Sequence, residues 1–424
     1  MKKSNPLLNL ESLPLIAALA LAVGACGGKD EERPAPAPVE QLPVVKVELF
    51  SWWVAPGEAE ALQKLIDLHR ENYPNQRIVN GAATTAEQSK LLLLERLTEG
   101  EPPDVMQSSA YNIRQDLAAY PGIVQPLDAL FEEEGLSKVI VPELLDDVTL
   151  DGSVQALPVN MHRENTIFYN KRIFADNQLE PPTSLEELLA ACEKLKKKGI
   201  TPIATTSEGW VLRILFNTLA MGVYDSEAFT AYWTGNAELD EDKLSSAIDA
   251  FDTVLTQYVD ADAADAAVGW TDAAQAVFAG EAAMFPHGDW TKGYFEQLGW
   301  TPDFDFGAFA APGSRELFWY SADVFAIATG APQESAAHDF LRTVGSKEGQ
   351  VAFNKIKGSS PIRLDVDPKL LDPIGRQVLD DLKNAKFRVQ VRNNDAWDIG
   401  LARFAVDHDK EALIQIYRDS PPQR

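Results

Sequence analysis

Strand-like and helix-like segments alternate along most of the chain, and this alternation limits the possible folds more than any other feature. The first such unit shows it clearly. Val44 to Phe50 alternates apolar and polar residues as a strand does, and Glu58 to Arg70 repeats apolar residues at helical spacing. Strands that alternate with helices predict an α/β architecture with mixed sheets.

The same patterns predict further elements down the chain. Strands are predicted at Arg77–Asn80, Val105–Ser108, Gln155–Val159, Thr166–Tyr169, Pro202–Thr205, Ala283–Pro286 and Val324–Ala328. Helices are predicted at Ala86–Glu99, Ser184–Lys198, Trp210–Met221, Glu241–Gln257, Trp270–Gly280, Ser335–Gly345 and Pro373–Asn384. The helix that starts at Ser184 has a capping-box start, with Glu187 three residues later, and Gly199 as its stop signal.

Residues 1–25 have the pattern of a secretory signal rather than of a folded element. Two lysines precede an apolar run, Leu13 to Ala25, which is shorter than the ~20 residues that a membrane span needs. Small residues followed at once by Cys26 indicate a lipoprotein signal, with Cys26 as the lipidated residue; a plain signal peptide with a chance cysteine is the alternative. Residues 26–43 are rich in proline and predict a semi-extended tether. We therefore expect a membrane-anchored protein of the periplasm or cell surface.

The charge balance and the cysteines restrict the partners and the chemistry. The chain has 64 Asp and Glu against 38 Lys and Arg, so it repels phosphate backbones and nucleic acid is not expected as a partner. The ~380 residues after the tether are enough for two domains with their own cores. Cys192 falls on the apolar stripe of a predicted helix, and with Cys26 acylated we expect no disulfide.

Two adjacent tryptophans, Trp52 and Trp53, follow the first predicted strand. In α/β folds ligands bind beyond the carboxyl ends of the strands, and tryptophan covers a flat ligand well. Neighbouring residues on a strand point to opposite faces. Either one of the pair therefore faces the core, or the loop releases both; a purely structural pair is a third possibility.

Several longer stretches carry a resemblance to a known family. They are LFSWWVAPGE at 49–58, GEPPDVMQ at 100–107, LDGSVQALPVNMHRENTIFYNK at 150–171, AAQAVFAGEAAMFPHGDW at 273–290, VGSKEGQ at 344–350 and KIKGSSPIR at 355–363. In this order they resemble the extracellular solute-binding proteins of bacterial ABC importers, in the carbohydrate class related to maltose-binding protein. The double tryptophan and the KGS segment are most similar to the glucose- and galactose-type binders.

The resemblance implies a fold, a role and a set of partners. The fold is of the periplasmic-binding-protein type, two α/β lobes joined by a multi-strand hinge with the ligand cleft between them. Strand crossings are then expected near 157–159, 285–289 and 320–323. One lobe would comprise 44–157 plus 288–322, and the other 158–287 plus 323–424. The role implied is a non-catalytic receptor, expected as a monomer without a cofactor or metal, that delivers a sugar to ABC permease subunits.

A sugar ring needs aromatic faces on its flat sides and charged or amide groups around its hydroxyls. Trp52 or Trp53 would form one wall, and Trp270, at a helix start in the other lobe, the opposite wall. The resemblance adds ligand-contacting polar residues at Glu58, Gln107, Asp323, Lys357 and Arg392. Asp323 also lies in a nearly continuous apolar run, where an unpaired carboxylate is costly, so it needs a neighbouring cation or a sugar hydroxyl as its donor. A second tier comprises Ser109, His162 and Asp289. Asp289 is interpreted as mainly structural, and the segment around His162 either lines the cleft or braces the hinge.

Two positions differ from the glucose-type pattern and leave the identity of the sugar undecided. This chain has Ser109 and Arg392 where those relatives tend to have histidine or another donor. A larger, permanently charged arginine would suit a different sugar or an acidic one. Glucose is therefore the first hypothesis, with a disaccharide, an oligosaccharide or an acidic sugar as the alternatives. Receptors for amines or phosphates, and a secreted glycosidase, lack a supporting motif.

Overall fold

The structure is a computed structural model that describes residues 43–81, 86–260, 269–392 and 394–422, without the side chains of Ala86, Glu87 and Lys90. The predicted signal segment, Cys26 and all of the tether except Pro43 lie outside the described residues. Within the described ranges, no helix combines the length and the apolar character that a membrane crossing requires.

The first sheet has five strands in the order β2-β1-β3-β13-β6. Its strands are β1 (Val45–Phe50), β2 (Gln76–Asn80), β3 (Val105–Ser109), β6 (Leu157–Pro158) and β13 (Asp323–Ile327). β1 runs parallel to β2 and β3, whereas β13 runs antiparallel to β3 and β6. The register pairs Asp323 with Ser109, so a late segment of the chain supplies a carboxylate beside the end of an early strand.

Five helices accompany the strands of the first sheet. They are α1 (Glu58–Asn72), α2 (Ala86–Glu99), α3 (Ala110–Ala119), α4 (Asp128–Glu133) and α5 (Pro142–Asp147). A short hairpin of β4 (Thr149–Leu150) and β5 (Ser153–Val154) follows α5. Buried Val47, Leu49 and Leu65 belong to the core of this part.

The second sheet has four strands in the order β11-β8-β10-β9. They are β8 (Thr166–Asn170), β9 (Thr201–Ile203), β10 (Ala282–Pro286) and β11 (Phe306–Ala310). The helices between β8 and β11 are α6 (Lys171–Asp176), α7 (Leu185–Lys196), α8 (Gly209–Trp233), α9 (Glu241–Gln257), α10 (Trp270–Ala279) and α11 (Trp290–Gln297). A second buried cluster, which includes Phe216 and Phe251, forms the core of this part.

A small third sheet lies where the chain passes between the two large sheets. It has the order β14-β12-β7 and is formed by β7 (His162–Arg163), β12 (Leu317–Ser321) and β14 (Phe387–Gln390). The remaining helices are α12 (Glu334–Gly345), α13 (Lys347–Lys357), α14 (Pro373–Asn384), α15 (Asp395–Asp407) and α16 (Lys410–Asp419). The two large sheets with their helices form two α/β lobes joined by crossing strands, as the sequence predicts.

The strand pairing corrects the predicted division of the later chain between the lobes. The sequence placed 288–322 with the first lobe and 323–424 with the second. However, β11 pairs with β8 in the second sheet, and β13 fills the gap between β3 and β6 in the first. A strand joins the sheet that offers it a free hydrogen-bonding edge, and sequence pattern does not show where that edge is. Helices α15 and α16 do pack with the second lobe, α15 against α8 and α16 against α9.

Most predicted elements are confirmed, and the exceptions have local causes. The predicted bounds of α2, α9 and α14 match the structure. The predicted strand 155–159 is reduced to two residues, which include Pro158, a residue without a backbone donor. The helix predicted at 210–221 continues to Trp233 through a break at Asp225, which has a φ of 64°. Cys192 is fully buried on α7, and burial raises the pKa of its thiol to about 12.

Candidate functional site

The loop after β1 presents one tryptophan outward and one inward. Trp53 is only 2% exposed and packs on Phe325 and Phe353, with ring centroids 5.4 and 4.7 Å away. Trp52 is half-buried at the carboxyl end of β1. Of the possibilities that the sequence left open, the structure therefore adopts the one in which a single member of the pair faces the core.

Gln107, at the end of β3, holds this loop in place. Its Oε1 accepts hydrogen bonds from the Ser51 hydroxyl at 2.6 Å and from the Trp52 backbone N–H at 3.2 Å. Its Nε2 donates to Asp323 Oδ1 at 3.1 Å. Gln107 is 1% exposed, so its amide connects the tryptophan loop to the carboxylate at the start of β13.

Asp323 is surrounded by donors on both oxygens. Besides Gln107 on Oδ1, its Oδ2 accepts from Asn160 Nδ2 at 2.9 Å and lies 3.2 Å from His162 Nε2. Asn160 Oδ1 in turn accepts from the Asp323 backbone N–H at 2.9 Å. The sequence predicted that a carboxylate in this apolar run needs a donor, and His162 with two amides fills that requirement.

His162 and Asp323 form a buried ion pair. Burial and the nearby Lys357 would lower the pKa of His162, but Asp289 and Asp323 reverse this and raise the pKa above its ordinary value. Burial would raise the pKa of Asp323, but the His162 hydrogen bond and the charges of His162 and Lys357 lower it. The surroundings therefore favour the charged form of each group.

Glu58 and Lys357 form a second ion pair beside the first. Their side chains meet at 2.8 Å, Lys357 is 3% exposed, and its Nζ lies 5.9 Å from the centre of the Trp290 ring. Lys357 was assigned to the second lobe from the sequence. Helix α13, which carries it, packs on α1, so Lys357 shares a lobe with Glu58.

Three tryptophans collect around His287. Its ring centroid lies 5.3 Å from Trp270 in a stacked arrangement, 5.3 Å from Trp210 and 4.9 Å from Trp290. Trp290 also meets the His162 ring edge-on at 5.0 Å. All three tryptophans are half-buried, so part of each ring remains accessible.

His287 itself is fully buried and neutral. Its Nδ1 lies 2.8 Å from the Thr291 hydroxyl. Burial, followed by the charges of Lys357 and His162, lowers the pKa of His287 well below its ordinary value. The sequence prediction included Trp270 but not Trp210 or Trp290. The signals were present, because Trp210 begins a helix as Trp270 does and Trp290 directly follows Asp289.

Asp289 and Ser109 have mainly structural contacts. Asp289 is 2% exposed; its Oδ1 lies 2.5 Å from His162 Nδ1 and its Oδ2 accepts from the Arg163 backbone N–H at 2.8 Å. These contacts are those of a structural residue. Ser109 is the N-cap of α3, and its hydroxyl accepts from the Asn112 backbone N–H at 3.0 Å.

Arg392 lies beside a larger cavity. It lines a cavity of about 1090 Å³ together with Asn112 and Gln115 of α3, Asp147 and Trp397. Asp147 accepts a hydrogen bond from the Tyr320 hydroxyl at 2.6 Å. Burial, opposed by that hydrogen bond and by nearby arginines, raises the pKa of Asp147 to about 6. None of the described residues forms a group of histidines, cysteines and carboxylates that could hold a metal ion.

Comparisons with known proteins give consistent findings. The family model for the bacterial extracellular solute-binding protein matches residues 55–351. An uncharacterised ABC transporter extracellular-binding protein of Pyrococcus horikoshii is 30% identical over 393 residues, which cover 90% of this chain and 86% of that protein. A probable sugar-binding periplasmic protein of Brucella suis is 30% identical over 347 residues, covering 81% of this chain and 80% of that protein.

Among solved structures, the bacterial solute receptor AcbH has a TM-score of 0.75 at 16% identity, over 88% of this chain and 96% of that one. AcbH is described as having an exclusive substrate preference for β-D-galactopyranose. At this identity the likeness shows a shared fold, with two lobes around a cleft.

Proposed function

Because the chain belongs to the bacterial extracellular solute-binding proteins, we propose that it is the sugar-binding component of an ABC importer. One observation carries the proposal. Half-buried tryptophan rings and an ionised carboxylate with hydrogen-bond donors on both oxygens meet in one place, where three segments cross between the lobes. Aromatic faces and charged acceptors are the two groups that a sugar ring requires. The Brucella relative is named a probable sugar-binding protein and AcbH is described as a receptor for a galactopyranose, which agrees with this choice.

We assign the polar and aromatic roles as follows. Trp52 covers one face of the sugar, and Trp270, with Trp210 and Trp290 beside it, covers the other. Asp323 and Glu58 accept from sugar hydroxyls, and Lys357 donates. Trp53 supports Trp52 from the core rather than touching the ligand, and Gln107 positions the loop.

Binding then favours the closed arrangement of the lobes, because a ligand shifts a two-state equilibrium only by its difference in affinity for the two states. We propose that this closed form is the one read by the permease subunits. In the same proposal the protein is a monomer held at the membrane by lipidated Cys26 and the tether 26–43, in the periplasm or at the cell surface. The lobes rotate about the segments around Asn160, Gly288 and Ala322.

The proposed receptor is not an enzyme. A glycosidase needs one carboxylic acid that is protonated at working pH and a second carboxylate across the scissile bond. The pKa of Asp323 is lowered by His162 and Lys357, so Asp323 does not serve as a proton donor at neutral pH. Glu58 is held by Lys357 at 2.8 Å.

A monosaccharide such as glucose is the first candidate ligand, and a longer saccharide is the second. The cavity beside Arg392 favours the second candidate, since about 1090 Å³ exceeds the ~300–1,000 Å³ of ordinary small-molecule sites. Asn112 and Gln115 line both this cavity and a smaller one that reaches Trp52 and Gln107, so the two spaces adjoin.

A thermal-shift screen tests the proposal. D-glucose, D-galactose, D-xylose, maltose, raffinose, D-glucuronate and a set of amino acids would each be added to the mature protein. A true ligand at one hundred times its Kd adds about 2.7 kcal/mol to the free energy of unfolding, which raises Tm measurably. A shift with an amino acid and with no carbohydrate would refute the sugar assignment. Trp300→Phe is a suitable control variant, because Trp300 packs on Phe295 and Phe306 away from this site.

A further inference from the structure

A small pocket bounded by α2, β3 and α3 adjoins the proposed sugar site. It has a volume of about 230 Å³, and α2 contributes four leucines to its wall, Leu91, Leu93, Leu94 and Leu97. We call this space the leucine pocket. Trp52 and Gln107 line it as well, and these are the residues assigned above to the sugar and to the loop that carries Trp52. The leucine pocket is therefore continuous with the proposed site.

The outer rim of the leucine pocket is apolar and exposed to water. Leu91 is 71% exposed, Leu94 is 38% exposed, and Tyr120, just after α3, is 45% exposed. Apolar side chains that are exposed together, rather than singly, mark a surface that binds a ligand or a partner. Covering them is favourable roughly in proportion to the apolar area removed from water. The rim therefore favours a ligand group that is itself apolar.

The wall that α3 contributes has a different character. Asn112 and Gln115 line both the leucine pocket and the large cavity beside Arg392. A second sugar ring suits the large cavity, whose wall includes charged groups such as Asp147. In the leucine pocket, sugar hydroxyls would lose water against leucine side chains, which cannot replace those hydrogen bonds. The two spaces therefore suit chemically different substituents of one sugar ring.

The volume of the leucine pocket limits the size of the group that enters it. An apolar protein cavity of about 150 Å³ holds one benzene molecule. At about 230 Å³, the leucine pocket accommodates a phenyl ring or an alkyl chain of about six carbons. A longer chain would extend past the rim into water and gain little from burial.

We propose that the leucine pocket receives an apolar aglycone, so that the receptor binds alkyl or aryl glycosides more tightly than it binds the free sugar. For its sugar part this inference rests on the proposed function, in which the ring lies against Trp52 and Asp323. The group attached at the anomeric carbon then enters the space between α2 and α3, where it covers Leu91 and Leu94.

Alkyl glycosides of increasing length test the proposal. Calorimetry compares the Kd of D-glucose and D-galactose with the Kd values of their methyl, butyl and hexyl glycosides, each as both anomers. Each methylene that enters the pocket should lower Kd by up to about fourfold, the limit set by the transfer of one methylene out of water. One anomer should show this gain. A Kd that is independent of chain length for both anomers overturns the proposal.

Two neighbouring leucines give matched variants for the same measurement. Leu92 and Leu94 are both 38% exposed on α2, but of the two only Leu94 lines the pocket. We expect Leu94→Asp to lose the gain from the alkyl chain and to bind the free sugar as the wild type does, whereas Leu92→Asp keeps both properties. Leu91→Asp is a second pocket variant, and circular dichroism reports the folding of all three. An equal loss of the gain in Leu92→Asp would overturn the assignment to the pocket.

Benzyl alcohol separates this inference from the proposed function. Saturation-transfer nuclear magnetic resonance detects its binding to the protein without any sugar. Binding to the wild type and to Leu92→Asp, but not to Leu94→Asp, supports the pocket even if no sugar binds and the proposed function fails. Equal signals in the three proteins overturn it. A concentration-dependent dimer of the wild type that Leu94→Asp abolishes would assign the leucines to a second copy of the chain, and would overturn it as well.

Discussion

The proposed sugar-binding region has two ends with opposite physical character. At the hinge end, Asp323, His162 and Asp289 bond to one another and are almost completely buried. At the outer end, Arg392 and Asp147 line an open cavity of about 1090 Å³. A saturated, buried network is costly to rearrange, whereas groups beside open solvent change partners readily. We infer that the hinge end recognises one sugar ring strictly and that the outer end accepts variation in what is attached to it.

The largest effect should come from the charge at the hinge end. Asp323→Asn keeps the shape but removes an ionised acceptor and leaves His162 with one carboxylate. We expect affinity to fall by about 10- to 100-fold, since a hydrogen bond to a charged group contributes ~1.5–3 kcal/mol. Calorimetric titration with the sugar found in the screen measures this. Asp147→Asn at the outer end is the matched control. Equal losses in both variants would remove the distinction between the two ends.

The next largest effect concerns the tryptophans. Trp270→Ala and Trp290→Ala should each weaken binding by about tenfold or more while the protein stays folded, because an aromatic face contributes ~1 kcal/mol beyond its buried area. Trp300→Phe should bind normally. Circular dichroism and fluorescence titration would report folding and affinity separately. Unchanged binding in both alanine variants would mean that the rings only pack against the protein and do not contact the sugar.

A smaller effect is expected at Arg392, and it depends on ligand length. Arg392→Gln should change the Kd for a monosaccharide by less than about fivefold, since its guanidinium lies beside the wide cavity, and a charge near solvent contributes ~1 kcal/mol or less. A disaccharide or an acidic sugar should lose more. Competition binding with the two ligand classes measures the difference. A large and equal loss of affinity for both ligand classes would mean that Arg392 belongs to the end that recognises one sugar ring strictly.

The smallest effect is on stability and concerns Asp147. Its pKa is about 6 when folded and near 3.9 when unfolded, so the folded protein binds an extra proton between these values. This carboxyl therefore stabilises the protein as pH falls from 6 to 4, the reverse of a salt-bridged aspartate. Urea unfolding at several pH values should show this contribution in the wild type and not in Asp147→Asn. An identical pH dependence in the two proteins would refute it.

For the hinge end, sequence reasoning predicted which residues matter better than it predicted how they are arranged. Asp323 was identified because a carboxylate in an apolar run needs a donor, and Trp270 because it begins a helix. Which donor Asp323 has could not be predicted, since His162 and Asn160 are brought to it by the antiparallel pairing of β13 with β6. The partners of a buried polar group depend on long-range register, which local pattern does not contain.

The errors have the same origin. Lys357 and Glu58 lie far apart in sequence and in different predicted lobes, yet α13 packs on α1. Helices α15 and α16 and strands β11, β12 and β14 were not predicted, although their lengths are ordinary. The inward turn of Trp53 was one of the open possibilities, and only the positions of Phe325 and Phe353 decide it.

The position of β13 has a consequence for how the protein folds. This strand is inserted between two strands that precede it by a long stretch of chain, and the Gln107–Asp323 bond joins residues 216 positions apart. The first sheet therefore keeps an unsatisfied gap until the second lobe has been synthesised and β13 has emerged. Contacts of such long sequence separation slow folding and leave strand edges exposed for longer. A newly made chain should therefore fold slowly. The delay leaves time for any factor that must bind the chain while the first sheet is still incomplete.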